Sequence, residues 1–413
     1  MYTRFFTHPT KRLRAGPANA FIDGFAEELH RHGYSRPIAC IHLRAAVHFG
    51  CWAEQQGIGI KGLDDSSLAD FRAHLPSCRC GNSYRDQSAH VVAGARHFLE
   101  YLRRCGTVRP AFKEVEEFRG GEILEEFDRW MDVHRGLRAS TRQAYRSVGK
   151  ELLLAVGPET NDFTPEALRR FILERVQHHG AGAGARIVRT LRLFVRFLTV
   201  AGKCCPTLVD AIPTVLHRRL ASLPRYLAPA DVEAIVATCD AATPRGNRDR
   251  AIVLLCARLG LRASDITRLC FTDLDWEGAS MCVEGKGRRQ VRLPLTQELG
   301  DALVSYIEHG RPAVEGPHFF TTCRAPYRAL AGASSVSTIV ARAIRRAGVR
   351  HPSRGAAHLL RHSAATEMLR QGIGLHDIGA VLRHRSIEST AHYAKVDVNA
   401  LGRVAQPWPE DQP

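Results

Sequence analysis

Between residues 281 and 295 the chain abandons the helical period of its neighbours. Met281-Cys282-Val283 is a short apolar run and Gly285-Lys286-Gly287 turns. Val291, Leu293 and Leu295 then alternate with Arg292 and Pro294, as a half-buried strand does. The reading is a β-hairpin with Lys286 at its tip, set among helices. The fold class that follows is mainly α with a small antiparallel sheet, an α+β arrangement, and 413 residues are enough for two or three domains with their own cores.

Two stretches upstream, 20–106 and 122–202, read as two versions of one helical plan. Each ends in an apolar-basic helix followed by Gly, with Phe98, Leu99 and Leu102 before Gly106, and Phe194, Phe197 and Leu198 before Gly202. Each has a middle helix with Leu and Phe three apart, Leu68/Phe71 and Leu168/Phe171, a spacing that puts both on one face. Any helical bundle can show such spacing, so duplication and coincidence both stay open. In the second stretch Ser140 with Gln143 forms a capping-box pattern, and Thr164-Pro165-Glu166 places Pro at the first helical position. The helix from Thr141 to Leu154 carries Arg142, Arg146 and Lys150 at four-residue spacing, a basic stripe fit for a phosphate backbone or simply for water.

Pro206, Pro213 and Pro224 mark an extended linker, after which a larger domain opens with a helix start at Ala228-Pro229-Ala230-Asp231 and runs to a helix ending near Gly260. The organisation read from sequence is a helical extension (1–115), a helical domain (116–205), a linker (206–227), a larger mixed domain (228–395) and a tail (396–413). In that tail Val396, Val398, Leu401 and Val404 make a docking helix or a disordered end, with Pro407 and Pro409 stopping it.

Charge narrows the partners. Lys+Arg 58 against Asp+Glu 42 gives a formal net charge of +16, a field that attracts polyanions, so nucleic acid is the leading class. Only seven basic residues are Lys, so arginine is background here and a Lys in a special place carries more weight. The twelve Cys are scattered, and no charged start leads into an apolar stretch and a cleavage site; reduced thiols and a cytoplasmic protein are expected. No stretch approaches the roughly 18 apolar residues of a membrane span, since even Ala251 to Leu261 contains Arg258.

Four clusters can do chemistry: Gly260-Leu261-Arg262 with Asp265, the Lys286 hairpin, His358-Leu359-Leu360-Arg361-His362, and Leu382-Arg383-His384 with Tyr393 nine residues on. Attack on a phosphodiester needs fixed cations at the nonbridging oxygens, a role Arg fills bidentately. It also needs a general acid for the leaving oxygen, which Lys286 can supply, and a hydroxyl nucleophile, for which Tyr suits a reversible phosphoester. His358 and Arg361 share a helix face, while Leu360, Ala364 and Met368 form an apolar one. Each signal also has a plain reading. A chance His-x-x-Arg is expected among twenty His, Tyr393 can simply dock a terminal helix, and Arg262 can pair with Asp265 beside a probable N-cap at Ser264.

A metal reading competes and ranks last. His358 and His362 are four apart, as zinc ligands often are, but Leu359 stands where a supporting Glu is needed. Cys78 and Cys80 form Cys-x-Cys without a second pair at ligand spacing, so they read as incidental thiols. No metal and no cofactor are expected.

The order Arg, Lys, His-x-x-Arg, His, Tyr resembles the tyrosine recombinase (phage integrase-like) family. Gly260-Leu261-Arg262 is similar to the segment around the family's first catalytic Arg, with Lys286 24 residues on; His384 follows His358 by 26 and Tyr393 follows His384 by 9, as is typical there. The resemblance covers about 225–395, and 122–202 is similar in plan to the family's core-binding domain, which completes a clamp around DNA. It implies that Tyr393 is the nucleophile forming a 3′-phosphotyrosyl bond. Arg262 and Arg361 would hold the phosphate, Lys286 would protonate the leaving oxygen, and His358 would assist proton transfer, with His384 donating a hydrogen bond. Arg288 and Arg289, beside the hairpin tip, join Arg142, Arg146 and Lys150 as candidate DNA contacts.

Double-stranded DNA is then the implied partner, four protomers the implied assembly, with related recombinases as further partners, and integration, excision or transposition of a mobile element the implied outcome. Three other readings stay open: a catalytically silent DNA-binding accessory protein, a topoisomerase-like enzyme, and a metallohydrolase. Residues 1–115 exceed the family plan and can add DNA contacts or recruit partners.

Overall fold

The computed structural model describes residues 16–78, 89–110, 119–159, 163–214, 223–284, 290–350, 355–384, 386–396 and 402. Contacts divide the chain into two compact units, one built from 1–111 together with 223–413, the other from 112–222.

In the first unit, the N-terminal region holds α1 (Asn19–Arg31), α2 (Arg36–Gln55), α3 (Asp65–His74) and α4 (Ala89–Arg104). α2 and α4 make the main contact of this bundle. They approach closely because Gly94 lies against α2, where an added Cβ would come within 2.8 Å of the His42 backbone. Phe25, Phe49, Phe71 and Phe98 fill the core. α3 starts at a capping box, with Asp64 accepting from the Ser67 amide at 2.7 Å.

The second unit contains α5 (Gly121–Arg135), α6 (Ala139–Val156) and α7 (Pro165–Val200). Thr164 caps α7 as read, its hydroxyl accepting from the Ala167 amide at 3.2 Å with Pro165 in the first turn. The capping box read at Ser140 does not form. Arg138 is the N-cap of α6, because that helix begins two residues earlier and takes Ser140 inside it. Residues 165–200 are all helical, yet a Cβ on Gly184 would lie 2.6 Å from Val176, eight residues back. A straight helix separates such residues by about 12 Å, so α7 is two arms folded at a tight bend. The middle and last helices read from the sequence are those arms. The segment read as an extended linker is folded over its first part: Pro206–Val209 is a 3₁₀ turn, and Leu208 and Ile212 are buried in this unit's core.

The C-terminal part of the first unit opens with α8 (Pro229–Ala237) and α9 (Pro244–Ala257). The helix start read at Ala228 begins α8, and the helix read as ending near Gly260 is α9, which Thr243 caps by accepting from the Gly246 amide. Ile252, Val253, Leu254, Leu255 and Cys256 are all fully buried, which makes the C-terminal half of α9 apolar all round and central to the core. After α10 (Ala263–Arg268) come three short antiparallel strands in the order β1 (Leu274–Asp275), β2 (Ser280–Glu284), β3 (Gln290–Pro294). β2 and β3 pair from Ser280↔Pro294 to Glu284↔Gln290, the hairpin expected. Its connection, with Lys286, Arg288 and Arg289, lies outside the described residues. α11 (Gln297–Ser305), α12 (Ala333–Arg346), α13 (Ala356–Arg370), α14 (Leu375–Val381) and α15 (Glu388–Ala394) follow.

Within this unit the N-terminal bundle meets the C-terminal part at the end of α1. The Tyr327 amide donates to the His32 carbonyl at 3.3 Å. Gly33, at φ +74°, is covered by the Tyr327 ring, which a Cβ would meet at 2.3 Å. Among the described residues no helix is long and apolar enough to cross a membrane. Of the tail residues 396–413, Val396 and Gly402 are described.

Candidate active site

Gly260 is the first device that builds the site. At φ +56° it turns the chain out of α9, and a Cβ there would sit 2.5 Å from Leu382. The turn makes Arg262 the N-cap of α10, a place the sequence reading gave to Ser264, and leaves the Gly260 carbonyl facing α13. Arg361 donates to that carbonyl through Nη1 and to the Leu382 carbonyl through Nη2 at 2.5 Å. One buried guanidinium thus ties the end of α9 to the end of α14.

Arg383 is the second device. Its φ of +56° is a left-handed conformation that side-chain-bearing residues seldom adopt. The turn lets its carbonyl accept from Arg262 Nη2 at 3.1 Å. Its own guanidinium is buried against Asp265, Nη2 to Oδ2 3.0 Å. Asp265 also faces Arg268 at 3.1 Å and Arg262 at 3.9 Å. One buried carboxylate therefore balances part of the charge of three arginines.

Tyr393 lies among these groups on α15 and is 2 % exposed. Its hydroxyl and His362 Nδ1 are 2.8 Å apart. Its ring is nearly parallel to that of His384, with centroids 6.4 Å apart, and His384 Nδ1 is 2.8 Å from the Thr390 hydroxyl. His358 stacks on His362 one helical turn away, centroids 6.1 Å apart. Five of the six residues singled out for chemistry, Arg262, His358, Arg361, His384 and Tyr393, come together; the sixth, Lys286, is outside the described residues. The pair on α13 is divided by depth: His358 is exposed, whereas Arg361 is buried.

The electrostatics follow from burial beside cations. His362 and His384 are each pushed down to about 4, His362 by burial and then His358 and His392, His384 by burial and then Arg361 and Arg262. Partial withdrawal from solvent and the same two arginines lower His358. Arg361 itself comes down to about 9 through burial and the nearby Arg262 and Arg383. Burial raises the Tyr393 phenol, while Arg361 and Arg262 oppose that rise. The surroundings are short of negative charge, which is what a phosphate brings.

Three partners went unread in the sequence. His362 was weighed only as a zinc ligand, and it holds the Tyr393 hydroxyl across 31 residues of chain. Arg383 and Thr390, which orient Arg262 and His384, carry no motif of their own. The basic stripe on α6 is not a free one either. Arg142 is turned back onto α5, paired with Asp128 at 3.3 Å and with Asp132, because those acids face it across the helix pair. Arg146 is half-buried and Lys150 exposed.

A phenol enclosed by guanidinium and imidazole groups is chemically suited to phosphate esters. The model of the Phage integrase family matches residues 225–400, the region that contains all of it. An integrase/recombinase of Sinorhizobium fredii, y4rA, is 33% identical over 414 residues, covering 95% of each chain. The tyrosine recombinase XerC of Syntrophus aciditrophicus is 26% identical, covering 68% of this chain and 94% of its own. The chain belongs to the phage integrase family of tyrosine recombinases, proteins of site-specific recombination. Among solved structures, XerH recombinase in a post-cleavage complex with a palindromic difH substrate shares the fold at TM-score 0.54 and 17% identity, covering 83% of this chain and 95% of its own. A lambda integrase dimer bound to a core site does so at 0.53 and 18%, covering 66% and 94%.

Proposed function

We propose that this protein is an active recombinase that cuts and rejoins double-stranded DNA through a 3′-phosphotyrosyl intermediate. One observation carries the reading: residues from four separate segments, Arg262, His358 with Arg361, His384, and Tyr393, meet around one phenol. A structural tyrosine would need only the packing, not the cations.

In the proposed step the Tyr393 oxygen attacks the scissile phosphorus and passes its proton to His362 Nδ1, unprotonated at neutral pH because its pKa is held at about 4. The bond from phosphorus to the 5′-oxygen breaks, and Lys286, assigned from sequence, gives that oxygen a proton. Arg262 and Arg361 stabilise the charge gathering on the nonbridging oxygens, Arg361 as a donor whose orientation two backbone carbonyls already fix. His384, held by Thr390, donates a hydrogen bond to the same phosphate. The phosphotyrosyl ester retains the energy of the phosphodiester, so a partner strand's 5′-hydroxyl reverses the step without ATP. Two such exchanges by four protomers pass through a Holliday junction, and the outcome is movement of a mobile element. Residues 228–395 serve as the catalytic domain and 116–205 as the core-binding domain, with Arg146, Lys150, Arg288 and Arg289 as candidate phosphate contacts.

The test is covalent trapping. The protein is expressed beside its native flanking DNA, the lysate is denatured, and any peptide left on DNA is mapped. An adduct on Tyr393, lost in Tyr393→Phe, is the expected result. Intact DNA binding without an adduct would favour the silent accessory protein instead.

A further inference from the structure

The N-terminal bundle contains a second gathering of histidines, far from any motif. His48 on α2, His74 at the last position of α3 and Cys78 just past the 3₁₀ turn Leu75–Ser77 place one donor atom each within 4.8 Å of one another. They are the one such group of three or more among the described residues. We propose that His48, His74 and Cys78 bind a zinc ion that clips the end of α3 to α2.

Three observations support the site. The donors are a thiol and two imidazoles, the set that Zn²⁺ prefers over oxygen-seeking cations. The spacing fits: Cys78 Sγ and His48 Nε2 are 3.3 Å apart, close to the edge of about 3.5 Å expected between ligands of a tetrahedron with Zn–S about 2.3 Å and Zn–N about 2.0 Å. His48 is 3 % exposed, so its ring meets an ion where bulk water does not compete for it. The donors are also held in place without the ion. Asp64 and Ser67 fix the start of α3, and Phe71 packs edge-on against the His48 ring at 5.0 Å. Three protein ligands leave the fourth position to water or another donor. The cysteine that the sequence alone reads as incidental is, in this arrangement, a ligand, and the site is independent of the reading given to Tyr393.

Cobalt reports the site directly. The full chain is stripped with chelator, dialysed, and titrated with Co²⁺. The expected result is a thiolate-to-cobalt charge-transfer band and tetrahedral visible bands that saturate near one equivalent and vanish on adding Zn²⁺. Cys78→Ser should abolish the charge-transfer band with helical circular dichroism unchanged, and His74→Ala should weaken Co²⁺ binding at least tenfold. Absence of the band in the wild type overturns the proposal, as does a band of unchanged strength in Cys78→Ser, which would place it on another of the twelve cysteines. If Cys78→Ser does not fold, His74→Ala decides, and unaltered binding there overturns the proposal too.

Discussion

Two histidine groups of the first unit, one around His42 and one around Tyr393, reach the same protonation state by different means. In the N-terminal bundle His42 is held at about 4 by burial, with His97 and His90 adding to the effect. Its neighbours are other rings, Tyr34 and His97, at centroid distances of 5.0 Å. Around Tyr393 burial is also the largest cause, but guanidinium groups join it, acting on His358 and His384 directly. An apolar environment excludes charge of either sign, whereas a cationic one excludes positive charge and invites negative charge. The first environment suits packing, and the second suits an anion.

The largest effect expected from this contrast is on chemistry. Arg361→Ala removes the guanidinium fixed by the Gly260 and Leu382 carbonyls and should slow strand cleavage by about 10²-fold or more, measured as covalent adduct formed per unit time on a suicide substrate. A change below tenfold would mean that the arginine field is structural.

Acid comes next. His42, His362 and His384 sit near 4 in the folded chain and return to about 6.5 when it unfolds, so the unfolded state takes up more protons between those values. Stability is complete above about pH 6.5 and drains away as pH falls toward 4. With the half-buried rings discounted for solvent screening, urea unfolding at pH 5 should give a stability on the order of 2 kcal/mol below that at pH 7.5. Equal stabilities at the two pH values would show that these rings titrate normally.

The smallest effect separates the clusters most sharply. A bound phosphate cancels the field of Arg262 and Arg361, so His384 should titrate about one unit higher in a complex of Tyr393→Phe with DNA, followed by imidazole NMR. His42, with no arginine among its causes, should not move. Parallel shifts in both would point to a general change in the fold.

Much of this arrangement was legible in the sequence because its pieces are local. The alternation of Val291 and Leu293 announces a strand, and the i, i+3 spacing of His358 and Arg361 sets both on one helix. What stayed hidden was set by long-range packing. Arg262 meets the Arg383 carbonyl across 121 residues, and that carbonyl is available only through a left-handed turn that an arginine does not advertise. The same limit explains Ser140, whose capping pattern is sound but whose helix begins earlier, and Arg142, whose charge is absorbed by Asp128 on a neighbouring helix.

The burial of Tyr393 also bears on how the chain behaves when no DNA is near. Phenols react with electrophiles as phenolates, and this one is raised in pKa, shielded from water and hydrogen-bonded to a ring. Among the described tyrosines it is one of the least suited to meet a reagent from solution. If Tyr393 is the nucleophile proposed above, a copy away from DNA keeps it where solutes do not reach, and many copies can accumulate in a cell without reacting.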